Sequence, residues 1–458
     1  MIRRILDSLE QKGGGEALIG LDDRCEVDWS QSGNDVLHAV GTWQQELRER
    51  GVQAGDRVAI DLPRGPQLLA AHVAVLASGA TVVPMNASLP ESERKEVLEQ
   101  ADVRTLIAPG DQPGRRGAVH LVEDHPRAPC LLIFTSGTTG KPKGVPLSLE
   151  NLEANLAALT EAWGLSGADR LLHVLPCHHL HGLALALYGG ARLGIPIVLL
   201  RRFDAVLCVE ALAAQEATVF MGVPTMFRRM ARSPSRRELP RIRVFISGSA
   251  PLDPLDFRDC ETRFGQRPLE RYGLSETMIV STNPLEGERC PGTVGRPLPD
   301  TEVRFAEDGE IEVRGPAVMA GYWRAPELAR DAFRDGFFRT GDLGRLDEAG
   351  YLRITGRKKE LIIVGGSNVL PGEVEQGLAA DPGLEELAIA GLPDPDLGEI
   401  VAAFVVPRAG QDPAAVETRL RALAAEHLAP YKRPRIYRFF AALPRNAMGK
   451  IDRRGLKG

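Results

Sequence analysis

The sequence predicts an α/β protein: a large N-terminal domain of layered α/β subdomains carrying a small β-subdomain, followed by a small α+β C-terminal domain. Three observations predict it. The 458 residues exceed what one compact core serves. Helix-like and strand-like stretches alternate from about Asp35 to Pro297, the pattern of largely parallel strands covered by helices. Beyond Pro297 the pattern changes, first to alternating apolar and polar residues and then to a short mixed module after Gly356.

Taken in order, Val36–Arg50 is amphipathic and predicts a helix. Arg57–Leu62 reads as a strand, Gln67–Leu76 as a helix and Ala80–Pro84 as a buried strand. The alternation recurs with a helix at Leu152–Trp163, a strand at Arg170–Leu175 and a helix at Leu183–Leu193. Strands follow at Ile195–Leu200 and Ile242–Ser247. Thr301–Gly321 alternates around Asp308-Gly309, which reads as a small antiparallel hairpin. The last module predicts strands at Leu361–Val364 and Ala402–Val406, with helices near Pro371–Leu378 and at Ala415–His427. The charged, turn-rich Asp347–Lys359 sets a boundary, giving domains 1–356 and 357–458; a final piece of about 100 residues is large enough to fold as its own domain.

An apolar content of 43% and a charged content of 26% suit an ordinary globular enzyme. The net charge of −5 argues against a nucleic-acid partner, which calls for a basic face. Six cysteines are scattered without a CxxC pair, which fits reduced cytosolic thiols better than a disulfide frame or a zinc site. No apolar run reaches the ~18 residues of a membrane span. The basic start at Arg3-Arg4 runs into Asp7 and Glu10 rather than an apolar signal core. The expectation is a cytoplasmic protein with no membrane partner, a monomer or weak homodimer. Lysine usage is more telling: the chain holds 47 Arg but 9 Lys, and none lies between Lys143 and Lys358. A compact ammonium differs chemically from a flat guanidinium, so lysines kept against that bias mark positions that need one.

Leu131–Gly144 reads LLIFTSGTTGKPKG, an apolar strand entering a loop of glycines and hydroxyls and then two lysines. Thr135, Ser136, Gly137, Thr138, Thr139, Gly140, Lys141 and Lys143 together suit a triphosphate: glycines admit close backbone N–H approach, hydroxyls donate, and lysines add charge. The loop is not a Walker A element. Two residues rather than four separate Gly137 from Gly140, and Pro142 follows Lys141 where Ser or Thr is needed. Polar groups at chain turns recur downstream. Ser249 and Ala250 follow the strand ending at Ser247. Arg271-Tyr272-Gly273-Leu274-Ser275-Glu276 offers an aromatic face for a base and a carboxylate. Asp342, in Arg339-Thr340-Gly341-Asp342, is an acid able to accept two ribose hydroxyls; Arg357 stands just past it, and Lys450 lies near the chain end.

In order and spacing, TSGTTGKPKG, YGLSET, RTGD, GRKKE and NAMGK resemble the signature of the adenylate-forming superfamily of acyl-CoA synthetases, adenylation domains and luciferases. The resemblance covers roughly Ala128 to the C-terminus. It implies that a carboxylate attacks the α-phosphorus of ATP, giving an acyl-adenylate and pyrophosphate, and that a thiol then displaces AMP. By the same resemblance Thr135–Lys143 wraps the β- and γ-phosphates and Thr138 acts with Glu276 and Lys450 in catalysis. Glu276 holds Mg²⁺, Asp342 holds the ribose, and Ser249, Ala250, Arg271, Tyr272, Gly273, Ser275 and Arg357 complete the nucleotide set. Lys450 bridges carboxylate and α-phosphate. Lys359 is the hinge about which a mobile C-terminal domain turns, and Gly365-Gly366 lines the pantetheine channel of coenzyme A.

Three further segments, HVLPCHHLHG at His173–Gly182, GVPTMFRRM at Gly222–Met230 and GERCPGTVG at Gly287–Gly295, resemble malonyl-CoA synthetases. The implied activity makes malonyl-CoA from malonate or methylmalonate, ATP and CoA. A dicarboxylate keeps one charged end after the other reacts, and an arginine fork suits that end. The resemblance nominates Arg289 first and Arg229 second, with His179 and His181 lining the pocket. Malonyl-CoA synthetases often carry a second arginine after the first; here Cys290 stands there. Alternatives are a ligase for another short aliphatic or aryl acid, or an adenylation enzyme charging a carrier protein. A catalytically silent nucleotide sensor is disfavoured, because it has no use for Lys450.

Overall fold

The computed structural model describes residues 1–114, 117–122, 125–136, 142–445, 451–453 and 455–456. The chain divides into two compact units. One comprises Met1–Val303, Val313–Phe338 and Gly350–Leu352; the other comprises Arg304–Glu312, Arg339–Ala349 and Arg353–Gly458.

The first unit is built on two sheets. A nine-stranded sheet runs in the order Arg296–Pro297, Met278–Thr282, Leu269–Leu274, Val244–Ser247, Val219–Gly222, Leu171–His173, Ile197–Leu200, Glu16–Leu21, Val27–Ser32. Its six central strands, from Leu269–Leu274 to Glu16–Leu21, pair in parallel, and both ends close with antiparallel strands. The second sheet orders Thr105–Ile107, Arg57–Ile60, Thr81–Pro84, Pro129–Ser136 and Pro142–Ser148, the last pair being an antiparallel hairpin.

Helix Leu68–Ala77, LLAAHVAVLA, is apolar all round and all ten of its residues are buried. Such a helix is stable only when covered on every side. Its one polar side chain, His72, is satisfied through Nδ1 by the Tyr188 hydroxyl at 2.7 Å, and burial pushes the imidazole pKa down to about 3. Helices Gly33–Glu49 and Leu149–Ala162 each start at a serine in a reciprocal capping arrangement, Ser32 with Asp35 and Ser148 with Asn151.

The second unit contains a sheet in the order Ser367–Val369, Ile362–Val364, Gly398–Pro407, Leu384–Asp394, with Ile436–Phe439 also paired to Gly398–Pro407. Helices Pro371–Leu378 and Pro413–His427 bury Val374, Leu378, Val416 and Leu420 in its core. The division shares out a further small sheet, in which Glu302–Phe305 and Glu310–Arg314 are neighbours on either side of Asp308-Gly309, as the hairpin expectation has it.

The α/β class, the large first part and the smaller second part agree with the sequence reading. Differences are local. In place of a regular helix at Leu183–Leu193, His181–Tyr188 forms a wholly buried π-helix continued by α-helical Gly189–Arg192. Such wide turns cluster at functional sites. Helix Ile2–Lys12 and strands Glu16–Leu21, Val27–Ser32 and Leu384–Asp394 were not expected. Glu16–Leu21 becomes an interior strand only by pairing with Ile197–Leu200, Leu18 opposite Ile197, and no local pattern announces so distant a partner. All six cysteines are free. Among the described residues no helix is long and apolar enough to cross a membrane.

In the second unit Phe404 is fully buried, among Ala388, Ala390, Ala402 and Leu443. Phe404→Ala opens a cavity there, and a loss of about 3–5 kcal/mol is expected in urea unfolding followed by circular dichroism.

Candidate active site

Ligand sites in open parallel sheets lie beyond the carboxyl ends of the strands. At that edge of the nine-stranded sheet stand Ser247, paired with Gly222 and Glu270 on neighbouring strands, and Arg271, one residue further along. Arg271 is 6% exposed, and neither its Nε nor its Nη2 has a hydrogen-bond partner among the described residues. Burial lowers its guanidinium pKa to about 10, so it remains cationic at neutral pH. Gly248 makes room for it: a Cβ there would lie 2.3 Å from Nε and 2.4 Å from Cζ of Arg271.

His181, the first residue of the π-helix, is also buried, with both ring nitrogens unpartnered among the described residues. Burial first, and then the charge of Arg271, hold its pKa well below the usual value. The imidazole is therefore neutral, and the Arg271–His181 pair carries a single positive charge. Around it, His173 Nε2 lies 3.4 Å from Cys177 Sγ, and the His178 and His179 rings meet edge to face at 4.2 Å. Arg64 ties the intervening loop down by donating to the carbonyls of Val174, Leu175 and Arg201.

Ser249 and Ala250 are exposed on the loop after Gly248. That loop is anchored by buried Glu270, whose Oε1 accepts from Leu252 N at 2.9 Å; burial pushes the Glu270 carboxyl pKa up to about 8. Tyr272, Gly273 and Ser275 follow Arg271 at partly buried positions. Gly273 is sterically required, since a Cβ would lie 1.8 Å from Met278 O. Glu276 accepts through Oε1 from the Tyr322 hydroxyl at 3.0 Å, and its backbone carbonyl accepts from Met319 N at 2.8 Å. The Lys143 ammonium stands 5.4 Å from the Tyr322 ring centroid. Thr135 and Ser136 pair with Lys143 and Pro142 across the hairpin. Gly137, Thr138, Thr139, Gly140, Lys141 and Lys450 lie outside the described residues.

Among the described residues no group of three or more His, Cys, Asp or Glu side chains could hold a metal ion. A lone carboxylate nevertheless fits Mg²⁺, which is usually bound by one or two carboxylates together with substrate phosphates rather than by a protein cage. Glu276, partly exposed and bonded to the Tyr322 hydroxyl, has that character.

In the second unit Asp342 is 2% exposed and pairs with Arg357, Oδ1 to Nε, at 2.8 Å. The turn that presents it is held by Thr340 Oγ1 donating to Ile311 O at 2.7 Å and by Gly341 N donating to Glu310 Oε1 at 3.2 Å. Glu310 also binds Arg339 at 2.9 Å and Lys358 at 3.2 Å. Lys359 is exposed on the short 3₁₀ turn Lys358–Glu360. Gly365 and Gly366 form the tight turn after Ile362–Val364 with φ of 53° and 80°, a left-handed backbone that explains both glycines.

The two arginines nominated for the substrate are held elsewhere. Arg289 donates from Nε to Pro284 O at 3.1 Å, from Nη2 to Leu285 O at 2.8 Å and from Nη1 to Arg267 O, so its fork staples its own loop. Arg229 is exposed and lies over the Phe203 ring at 5.1 Å. Of the four substrate candidates, His181 is buried and feels the charge of Arg271. Glu270, Glu310 and Tyr322 were not singled out in the sequence. Glu310 and Tyr322 sit in GEIEV and GYW, where only position beside a hairpin or a glycine offers a signal.

Comparison with known proteins places the chain among nucleotide-dependent acid-activating enzymes. The chain belongs to the AMP-binding enzyme family: that family model matches residues 16–124 and 111–323, and the AMP-binding enzyme C-terminal domain matches residues 373–450. It is an ATP-dependent, AMP-forming acid–CoA ligase of the adenylate-forming superfamily. Among its relatives are the sulfoacetate–CoA ligase of Cupriavidus necator, 35% identical over 90% of this chain and 89% of that protein, and the malonate–CoA ligase of Arabidopsis thaliana, 33% identical over 89% of this chain and 78% of that protein. Relatives in the same identity range are named for other acids, a long-chain fatty acid among them. The structure of ATP-bound MatB from Rhodopseudomonas palustris superposes with a TM-score of 0.88 at 33% identity, covering 100% of this chain and 98% of that one.

Glu270 gives a pH prediction. Its carboxyl pKa is raised from 4.5 to about 8 in the folded chain, so the folded state binds a proton that the unfolded state releases. Stability is therefore expected to fall as pH rises between about 5 and 8. Glu270→Gln keeps an acceptor for Leu252 N and should flatten that part of the profile. Melting midpoints of both proteins across the range check it.

Proposed function

We propose that the acid activated by this ligase carries a second anionic group, with malonate the first choice and methylmalonate the next. The observation that carries the reading is Arg271, a buried guanidinium whose Nε and Nη2 have no partner among the described residues, beside neutral His181. A fork free along its Nε–Nη2 edge suits the two oxygens of a carboxylate. A monocarboxylate would leave the charge buried and unpaired. That costs ~3–5 kcal/mol, on the order of a hundredfold to a few thousandfold in discrimination. The names of the malonate and sulfoacetate ligases, each a small acid with two anionic groups, support the same reading.

The free carboxylate of the substrate attacks the α-phosphorus of ATP; the α–β bridging bond breaks, releasing pyrophosphate and leaving the acyl-adenylate. The CoA thiolate then adds to the acyl carbonyl carbon and AMP departs. The first step brings anions together, so donors and cations must be in place beforehand. We assign residues 135–143 to the β- and γ-phosphates, Tyr272 to the base and Asp342, steadied by Arg357, to the ribose. Lys450 serves as the cation between carboxylate and α-phosphate. Glu276 would hold Mg²⁺, which supplies charge neutralisation at the phosphates. Residues 1–356 would bind ATP and the acid. Residues 357–458, turning about Lys359, would bring Lys450 for the first step and Gly365-Gly366 to the pantetheine for the second. A cytoplasmic monomer or weak homodimer fits this chemistry.

The test is pyrophosphate release with ATP, Mg²⁺ and CoA on malonate, methylmalonate, sulfoacetate, succinate, acetate, butyrate and benzoate. Malonate should be preferred. Arg271→Met should lose at least about a hundredfold in kcat/KM for malonate while narrowing its lead over butyrate. Arg289→Ala should leave the order of acids unchanged. Equal use of butyrate and malonate by the wild type would overturn the reading and leave the ligase chemistry standing.

A further inference from the structure

Tyr322 belongs to none of the segments from which the site was read, yet it touches two of them. Its hydroxyl donates to Glu276 Oε1 at 3.0 Å, and its ring lies 5.4 Å from the Lys143 ammonium. The backbone around it joins the same two places: Met319 N donates to Glu276 O at 2.8 Å, and Trp323 N donates to Gly144 O at 2.9 Å. Gly144 lies on the hairpin of the five-stranded sheet, whereas Glu276 follows a strand of the nine-stranded one. Residues 319–323 thus form a clasp between two sheets, with one aromatic side chain at the point where a carboxylate and a lysine converge.

We propose that Tyr322 is a positioning residue that fixes Glu276 for Mg²⁺ and holds Lys143 beside it. This rests on the reading that Glu276 is the metal carboxylate. Glu276 sits at a turn, where a free side chain would sample several rotamers. The phenol holds one oxygen and leaves the other without a partner among the described residues. Partners of this outer kind orient metal-binding carboxylates, and removing one typically lowers metal affinity about 10–100-fold. The ring face acts separately, through the attraction of an aromatic quadrupole for an ammonium. Substitution can therefore divide the two roles: phenylalanine keeps the ring and loses the hydroxyl, and leucine loses both.

The experiment is equilibrium dialysis of labelled ATP against the full chain with no acid present, once with Mg²⁺ and once with EDTA. The ratio of the two dissociation constants is the metal-dependent gain. Tyr322→Phe is expected to cut that gain about tenfold while leaving the EDTA value within about twofold of wild type and the melting midpoint unmoved. Tyr322→Leu is expected to weaken binding in EDTA as well. An unchanged gain in Tyr322→Phe, or an equal loss with and without metal, would overturn the proposal while leaving the Glu276 reading intact. Glu276→Gln separates the two failures: if it keeps the wild-type gain, Glu276 does not bind the metal and both readings fall.

Discussion

A guanidinium held out of water, with two nitrogens unpartnered among the described residues, is the constraint on which the proposed acid pocket rests. Arg271 pairs with no acid among the described residues on either of its two unpartnered nitrogens. The surroundings accommodate it without neutralising it. Gly248 removes a Cβ that would collide with the fork, and His181 stays uncharged, so the Arg271–His181 pair carries one positive charge rather than two. A buried charge left in this state destabilises the free protein and becomes favourable when a ligand brings the opposite charge. In the proposed reading that cost is the source of the preference for an acid with a second anionic group.

The two carboxylates proposed for the nucleotide are, each within its own unit, already engaged. Glu276 is oriented by Tyr322, and Asp342 is held by Arg357 on a turn that Glu310 and Thr340 fix. In the proposed reading such engagement suits a first step whose partners are both anions, because reorganisation during the step would raise the barrier.

Much of this was legible in the sequence. Short apolar runs gave the parallel strands, and Asp308-Gly309 gave the hairpin, because period and turn chemistry are local properties. The segments containing Glu276, Asp342 and Arg357 were recognised for the same reason. The acid pocket was less legible. Arg271 was placed with its neighbour Tyr272 in the nucleotide set by resemblance, since a sequence does not tell that an arginine is buried with two nitrogens unpartnered among the described residues. Arg289 was nominated first because its segment, GERCPGTVG, resembles malonyl-CoA synthetases. Its staple role depends on the carbonyls of Pro284, Leu285 and Arg267 converging on one fork, which only the fold brings about. The π-helix that begins at His181 escaped notice because eight buried residues leave no amphipathic period to read.

The central claim is that the charge on Arg271 is unsatisfied until the acid binds. The most direct measurement is the thermal midpoint of wild type and Arg271→Met, each with and without malonate. The account predicts that the variant, which replaces the charge with an apolar chain of similar length, melts higher than wild type when free. It also predicts that malonate raises the wild-type midpoint alone. A variant that melts lower than wild type when free, with malonate acting equally on both, would show that the guanidinium is a structural element and not the seat of the substrate's second charge.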